Sequence, residues 1–296
     1  MTQSPLAGDP APAGPAPTPP AATRQGEFVR RLVSGIVMAG GALILTYAGG
    51  WWFAGLVAVG CAIMCWEWGR LVRQPLIDGG WLDQTLLLHA ASVLAAIVLT
   101  MLGHPGRALA ILGAVGLALS IRDSGNPLTA FGVAYAGLPA LVLVWLRQEP
   151  GHGLAAVLFL FVAVWVTDIA AFAAGRTIGG PKLAPSISPG KTWSGLVGGV
   201  AAAGLTGAAF GAYVPGASAL RLGLLAIVLA IAAQLGDLYE SALKRRSGQK
   251  DASGLIPGHG GLLDRVDGLV AAVAVVSVIV LSWHIDAPAR GLIVGR

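Results

Sequence analysis

The sequence predicts an all-α, polytopic transmembrane protein of about nine spans. Of its 296 residues, 55% are hydrophobic and only 11% are charged, and the mean hydropathy is +0.75. A soluble domain of this length would expose far more charge. The apolar runs are continuous rather than alternating, which excludes a membrane β-barrel.

Nine apolar runs have about the length of 20 residues that a helix needs to cross a bilayer. They cover residues 32–48, 51–68, 85–102, 107–121, 127–146, 153–175, 193–213, 222–240 and 267–284. The first two runs are separated only by Gly49 and Gly50, which predicts a tight hairpin. The Pro/Ala-rich residues 1–26 are predicted to be a disordered cytoplasmic tail.

The distribution of cationic residues indicates how the spans are oriented in the membrane. With nine spans, fourteen of the 19 Lys and Arg residues fall on the side of the N-terminus and five on the other. The positive-inside rule therefore places the N-terminus in the cytoplasm. The two polar connections at 176–192 and 241–266 then open on one cytoplasmic face, where they can form one site. Because the cations follow the membrane topology, the net charge of +5 does not predict a nucleic-acid partner.

The polar segment 234–267 is the first candidate for a functional site, because charge between two spans costs free energy unless it is used. Asp237, Ser241 and Lys244 share one face of the eighth span. Asp264 and Asp267 lie three apart at the start of the ninth, where the helix dipole favours negative charge. Carboxylates from two helix ends could hold a hard cation such as Mg²⁺. The alternative for Asp264 is an ordinary helix cap with surface ion pairs.

A glycine-rich turn connects these two groups. Gly258, Gly260 and Gly261 surround His259 and would allow backbone N–H groups to converge on an anion. His259 could position a phosphate or transfer a proton, or it could be structural.

The connection 176–192 is a second candidate for phosphate binding. Ser188, Lys191 and Thr192 immediately precede a predicted helix, and this pattern suits a triphosphate. The spacing of a Walker A loop is missing. The alternative is a basic loop that contacts lipid headgroups.

Three of the carboxylates outside these segments lie within or at the ends of predicted spans near cationic residues. Asp168 lies inside the sixth span, so a functional role is expected for it, with the metal or Arg176 as its partner. Glu67 and Asp123 neighbour cationic residues at span ends and are predicted to be boundary charges outside the site.

The C-terminal polar segment contains the series Ser241-x-x-Lys244-Arg245, Lys250-Asp251 and Pro257-Gly258-His259-Gly260-Gly261-x-x-Asp264-Arg265-x-Asp267, preceded by Gly236-Asp237. This series resembles the signature of the phosphatidate cytidylyltransferases, the CDP-diacylglycerol synthases, and so does the run from Leu183 to Trp193. The resemblance covers roughly residues 160–270. Gly190 and Ser194 depart from it, because the family usually has Lys and Glu at these positions.

The resemblance implies an enzyme that condenses CTP with phosphatidic acid to form CDP-diacylglycerol and pyrophosphate. It also implies Mg²⁺, a second cation such as K⁺, a homodimer, and multiple spans in the lipid bilayer of a bacterial inner membrane, with a cytoplasmic active site. The chain would then divide into N-terminal transmembrane helices at 27–150, a C-terminal transmembrane catalytic region at 151–285 and a tail at 286–296.

The predicted site residues follow from the segments and the resemblance together. The metal ligands are Asp237, Asp264 and Asp267, and the other catalytic residues are Lys244 and His259. The substrate-binding residues are Ser188, Lys191, Thr192, Ser241, Arg245, Lys250, Asp251, Gly260, Gly261 and Arg265. Each cation could contact either the nucleotide or the lipid headgroup. Two other classes, a secondary transporter and an intramembrane aspartyl protease, would instead pair Asp168 with Asp237.

Overall fold

A computed structural model describes residues 24–72, 84–123, 126–256, 260–283 and 285–295, with side chains from residue 33 onward. Most of the predicted N-terminal tail lies outside these ranges. His259, Gly258 and Pro257 of the glycine-rich turn also lie outside them.

Ten helices lie within the described residues, and they confirm the all-α prediction. They are α1 Arg24–Ala48, α2 Gly50–Val72, α3 Gln84–Met101, α4 Pro105–Arg122, α5 Pro127–Gln148, α6 Gly153–Thr177, α7 Trp193–Tyr213, α8 Ala219–Arg246, α9 Leu263–Trp283 and α10 Pro288–Ile293. Eight of them are long and apolar enough to cross a membrane, and α1 has a shorter apolar stretch at Val33–Ala48. The protein is therefore a multi-pass membrane protein.

Local sequence explains where several helices begin. The turn between α1 and α2 uses Gly49 and Gly50 at φ +67° and +51°, which confirms the predicted hairpin. Asn126 caps α5 by accepting a hydrogen bond from the backbone N–H of Leu128. Thr192 caps α7 in the same way, through the N–H of Gly195.

Small residues allow α6, α7, α8 and α9 to pack closely. A Cβ at Gly207 of α7 would lie 2.6 Å from the carbonyl oxygen of Leu222 in α8. A Cβ at Gly236 of α8 would lie 2.7 Å from the carbonyl oxygen of Asp267 in α9. Small residues at such contacts are typical of membrane helix packing. They bring the polar ends of α6, α8 and α9 together.

The connection between α6 and α7 contains a hairpin that the sequence analysis did not predict. Strand β1, Lys182–Ala184, pairs antiparallel with β2, Ser188–Thr192, with Lys182 opposite Thr192. The strands are short, and Pro189 and Gly190 are poor strand formers, so the sequence pattern favours a loop. The hairpin places Lys191 against α8.

Candidate active site

The contacts of Lys191 show that the two predicted polar segments lie next to each other. Its Nζ lies 2.8 Å from Oδ2 of Asp237. The same atom donates to the side-chain oxygen of Gln234, at 3.0 Å. Lys191 belongs to β2, whereas both partners belong to α8, so this contact attaches the hairpin to the polar end of α8.

Polar side chains on α8 extend this contact towards α6. Ser241 Oγ donates to Oδ1 of Asp237 at 3.3 Å, as expected for residues four apart on one helical face. Gln234 Nε2 donates to Oδ1 of Asp168 at 3.3 Å. The sequence analysis gave Gln234 no role, yet it contacts both Lys191 and Asp168.

Asp168, Asp237 and Asp267 form a cluster of negative charge, hereafter the carboxylate cluster. The carboxylate of Asp267 interacts electrostatically with those of Asp237 and Asp168. The carboxylate of Asp168 interacts in the same way with Lys191 and Arg265. The backbone N–H of Gly268 donates to Asp267 Oδ1 at 2.7 Å. Three neighbouring carboxylates repel one another, so a cation would stabilise the cluster. Their oxygens are the ligands that Mg²⁺ prefers.

Asp264 belongs to a different group of contacts. Its Oδ1 lies 2.5 Å from Nζ of Lys244, which also forms an ion pair with Glu240. Its Oδ2 accepts hydrogen bonds from the backbone N–H groups of Ala252 and Gly261, at 3.0 and 2.7 Å. Through these contacts the carboxylate orders the segment that precedes α9, and its ion pair is buried rather than at the surface.

The predicted metal set of Asp237, Asp264 and Asp267 stays a prediction. Among the described residues, no group of three or more His, Cys, Asp or Glu side chains could hold a metal by itself. Asp237 and Asp267 fit Mg²⁺, because this ion often uses one or two carboxylates and completes its shell with water and substrate phosphates. Asp264 fits less well, because both of its oxygens already have protein donors.

The arrangement suits chemistry on phosphates, because it combines carboxylates for a metal ion with a fixed cation at Lys191. Comparison with known proteins identifies the family, because the model of the cytidylyltransferase family matches residues 29–283. The chain belongs to the cytidylyltransferase family.

Relatives of this cytidylyltransferase family member match over most of its length, and they are named phosphatidate cytidylyltransferase. The protein of Brucella suis biovar 1 is 42% identical over 251 residues, 82% of this chain and 90% of the relative. That of Pseudomonas aeruginosa is 34% identical over 88% of this chain and 99% of the relative. That of Haemophilus influenzae is 32% identical over 82% and 95%.

The sequence interpretation of Glu67 was wrong in this family member. It was predicted to be a boundary charge beside Arg70, but it is fully buried. Its Oε2 accepts from the N–H of Leu263 at 2.6 Å, and its Oε1 accepts from the N–H of Leu262 at 3.0 Å and from Ser253 Oγ at 2.5 Å. Arg70 instead lies over the ring of Trp66. Glu67 therefore fixes the start of α9.

We expect Glu67→Gln to lower the free energy of unfolding by about 1–3 kcal/mol, because the amide turns one acceptor into a donor that faces a backbone N–H. Thermal unfolding of the purified protein in detergent measures this loss. The matched variant is Arg70→Met. It should cost less than about 1 kcal/mol, since it removes a half-buried cation–π contact and no buried hydrogen bond. Equal losses in both variants would support the boundary ion pair and contradict the structure.

The remaining predicted site residues differ in how far they are exposed to solvent. Thr192 is buried, and its hydroxyl caps α7 and contacts Ser194. Gly260 has φ +82°, and a Cβ at Gly261 would lie 2.5 Å from Glu67 Oε1, so both positions require glycine. The exposed residues are Arg245, Lys250, Asp251 and Arg265, and Ser188 is half-buried. Their substrate-binding roles stay predictions, as does that of His259.

Proposed function

We propose that this protein is a phosphatidate cytidylyltransferase, which converts CTP and phosphatidic acid into CDP-diacylglycerol and pyrophosphate. The observation that carries the proposal is the contact between Lys191 and Asp237, which joins the two polar segments beside the carboxylate cluster. The relatives that match most of the chain have this name. A water-soluble nucleotide and a membrane lipid can both reach a polar site at the ends of membrane helices.

The reaction is an in-line displacement at phosphorus. An oxygen of the phosphate monoester of phosphatidic acid forms a bond to the α-phosphorus of CTP. The bond from that phosphorus to the bridging oxygen breaks, and pyrophosphate leaves with the electron pair. The attacking monoester is already an anion at neutral pH, so the reaction needs no strong general base. The main barriers are the repulsion between two polyanions and the charge that develops on the leaving group.

The side chains of the site can lower these barriers. Lys191 is fixed between Asp237 and Gln234, so it supplies a positioned cation for a phosphate. Asp237 and Asp267 would hold Mg²⁺, which lowers the charge repulsion between the phosphates when it is bound. Asp168 adds a third carboxylate within range of both, where a second cation such as K⁺ would also be stabilised.

The proposal also includes the membrane location of the protein and its oligomeric state. The excess of Lys and Arg on the side of the polar segments supports a cytoplasmic active site in a bacterial inner membrane. The resemblance to the family adds a homodimer to these expectations.

A direct assay tests the proposed function. Purified protein in detergent micelles with labelled CTP, phosphatidic acid and Mg²⁺ should form a labelled liponucleotide and one pyrophosphate for each. Chelation of divalent ions should stop the reaction, and added Mg²⁺ should restore it. A transporter or a protease would form neither product, so absence of both products with folded protein and Mg²⁺ would overturn the proposal.

A further inference from the structure

Gln234 of α8 is a buried polar side chain between Lys191 and the carboxylate cluster. It is 6% exposed and lies in an apolar helix. Its Oε1 accepts a hydrogen bond from Nζ of Lys191 at 3.0 Å, and its Nε2 donates to Oδ1 of Asp168 at 3.3 Å. A polar group buried in such a place costs free energy unless its hydrogen bonds are made. Both ends of this amide are used, and both contact proposed site residues.

The two partners fix the direction of the amide. The ammonium group of Lys191 can only donate, and an ionised carboxylate, as at Asp168, can only accept. An amide provides both an acceptor and donors, so glutamine satisfies the two neighbours at once. A glutamate at this position would repel Asp168, and an apolar residue of the same length would satisfy neither partner.

Lys191 has two kinds of acceptor on α8. One is Oδ2 of Asp237, at 2.8 Å. The others belong to Gln234, whose side-chain oxygen lies at 3.0 Å and whose backbone oxygen lies at 3.4 Å. Under the proposed function Asp237 also holds Mg²⁺, so the metal would compete with Lys191 for the same carboxylate. The oxygens of Gln234 are uncharged, so they hold Lys191 without neutralising the positive charge that attracts a phosphate.

We infer that Gln234 is a positioning residue, which holds the ammonium group of Lys191 beside the metal site and directs it at the phosphates of CTP. The inference rests on the proposed function and adds a residue that acts through Lys191 rather than by touching the nucleotide. The alternative is a structural role, in which Gln234 only attaches the hairpin of β1 and β2 to α8. The two roles differ in how CTP binding responds to a charge at position 234.

Gln234→Met removes both side-chain hydrogen bonds and keeps a side chain of similar length. We expect it to raise the Kd for CTP about tenfold, a loss of about 1.4 kcal/mol, which is close to the net contribution of a hydrogen bond to a charged group. Equilibrium dialysis of labelled CTP with purified protein and Mg²⁺, without phosphatidic acid, measures this Kd in the absence of turnover. In the full reaction the KM for CTP should rise, and the KM for phosphatidic acid should stay the same.

Gln148→Met is the matched control. Gln148 is the last residue of α5, and its Nε2 contacts Sδ of Met101 at 3.0 Å. Among the described residues, it has no hydrogen bond or ion pair with a proposed site residue. The same substitution at this position should therefore leave the Kd for CTP unchanged.

Gln234→Glu separates positioning from attachment, and it tests the inference even if Gln234→Met does not fold. The carboxylate keeps an acceptor for Lys191, so the hairpin stays attached to α8. It also neutralises the ammonium group and repels Asp168, so we expect CTP to bind about tenfold more weakly than to the wild type. If Gln234 only attached the hairpin, this variant would bind CTP as the wild type does, and that result would overturn the inference.

A double variant tests whether Gln234 acts through Lys191. Lys191→Met alone should weaken CTP binding, and adding Gln234→Met should weaken it little further, because the positioned group is already gone. Additive losses would contradict the inference, and so would an unchanged Kd for CTP in Gln234→Met while the wild type forms liponucleotide. Failure of the proposed function gives a different result, because the wild type itself would then form no liponucleotide.

Discussion

Asp237→Asn should lower kcat by about 10³-fold, the size of effect expected when a group that stabilises transition-state charge is removed. Asp237 is the carboxylate that contacts both Lys191 and Ser241, and it lies beside Asp267. Asparagine keeps the shape and can still accept a hydrogen bond from Ser241. It removes the negative charge that would hold a divalent cation. Initial rates of liponucleotide formation at saturating CTP and phosphatidic acid measure the effect.

The control for Asp237→Asn is Asp123→Asn. Asp123 follows α4 and accepts a hydrogen bond from Thr129, at 2.6 Å, and among the described residues it has no hydrogen bond or ion pair with a proposed site residue. Both variants should elute from a sizing column like the wild type, and only Asp237→Asn should be inactive. Full activity of Asp237→Asn would remove this carboxylate from the proposed metal site.

The helices of this protein could be predicted from the sequence because their signal is local. A continuous apolar run predicts a span without knowledge of its neighbours, and all nine runs correspond to helices. The ends of the helices are less clear from hydropathy. The apolar run of α8 stops at residue 240, but the helix continues to Arg246. The helical spacing of Asp237, Ser241 and Lys244, rather than hydropathy, indicated this continuation. Polar residues outside the apolar layer can stay helical, so hydropathy does not locate such an end.

The partners of the charged residues were harder to predict, because several are distant in sequence. Glu67 binds backbone groups almost 200 residues later, whereas the sequence offered Arg70 as the nearer partner. Lys244 was grouped with Asp237 because both lie on one face of α8. The structure pairs it with Glu240, four residues earlier, and with Asp264 of α9. The spacing of Glu240 and Lys244 could have indicated their ion pair. The contact with Asp264 depends on how α8 and α9 pack.

Lys244→Met should give the largest loss of stability, about 3–5 kcal/mol, because it leaves buried carboxylates without their cation. The side chains of Glu240 and Asp264 are 1% and 5% exposed, and Lys244 is 11% exposed, so water cannot replace the lost contact. The methionine fills a similar volume and provides no charge. Thermal unfolding in detergent measures the loss. Arg246→Met is the control, since Arg246 is exposed on the same helical turn and should change stability by less than about 0.5 kcal/mol.

A second substitution separates the buried charge from other effects of Lys244→Met. Adding Glu240→Leu removes the more buried of the two carboxylates, while Asp264 keeps its hydrogen bonds from Ala252 and Gly261. The double variant should therefore be more stable than Lys244→Met alone, because a buried ion pair replaced as a whole by apolar groups costs little. If the double variant is less stable than the single one, packing around Lys244, rather than its charge, holds α8 against α9.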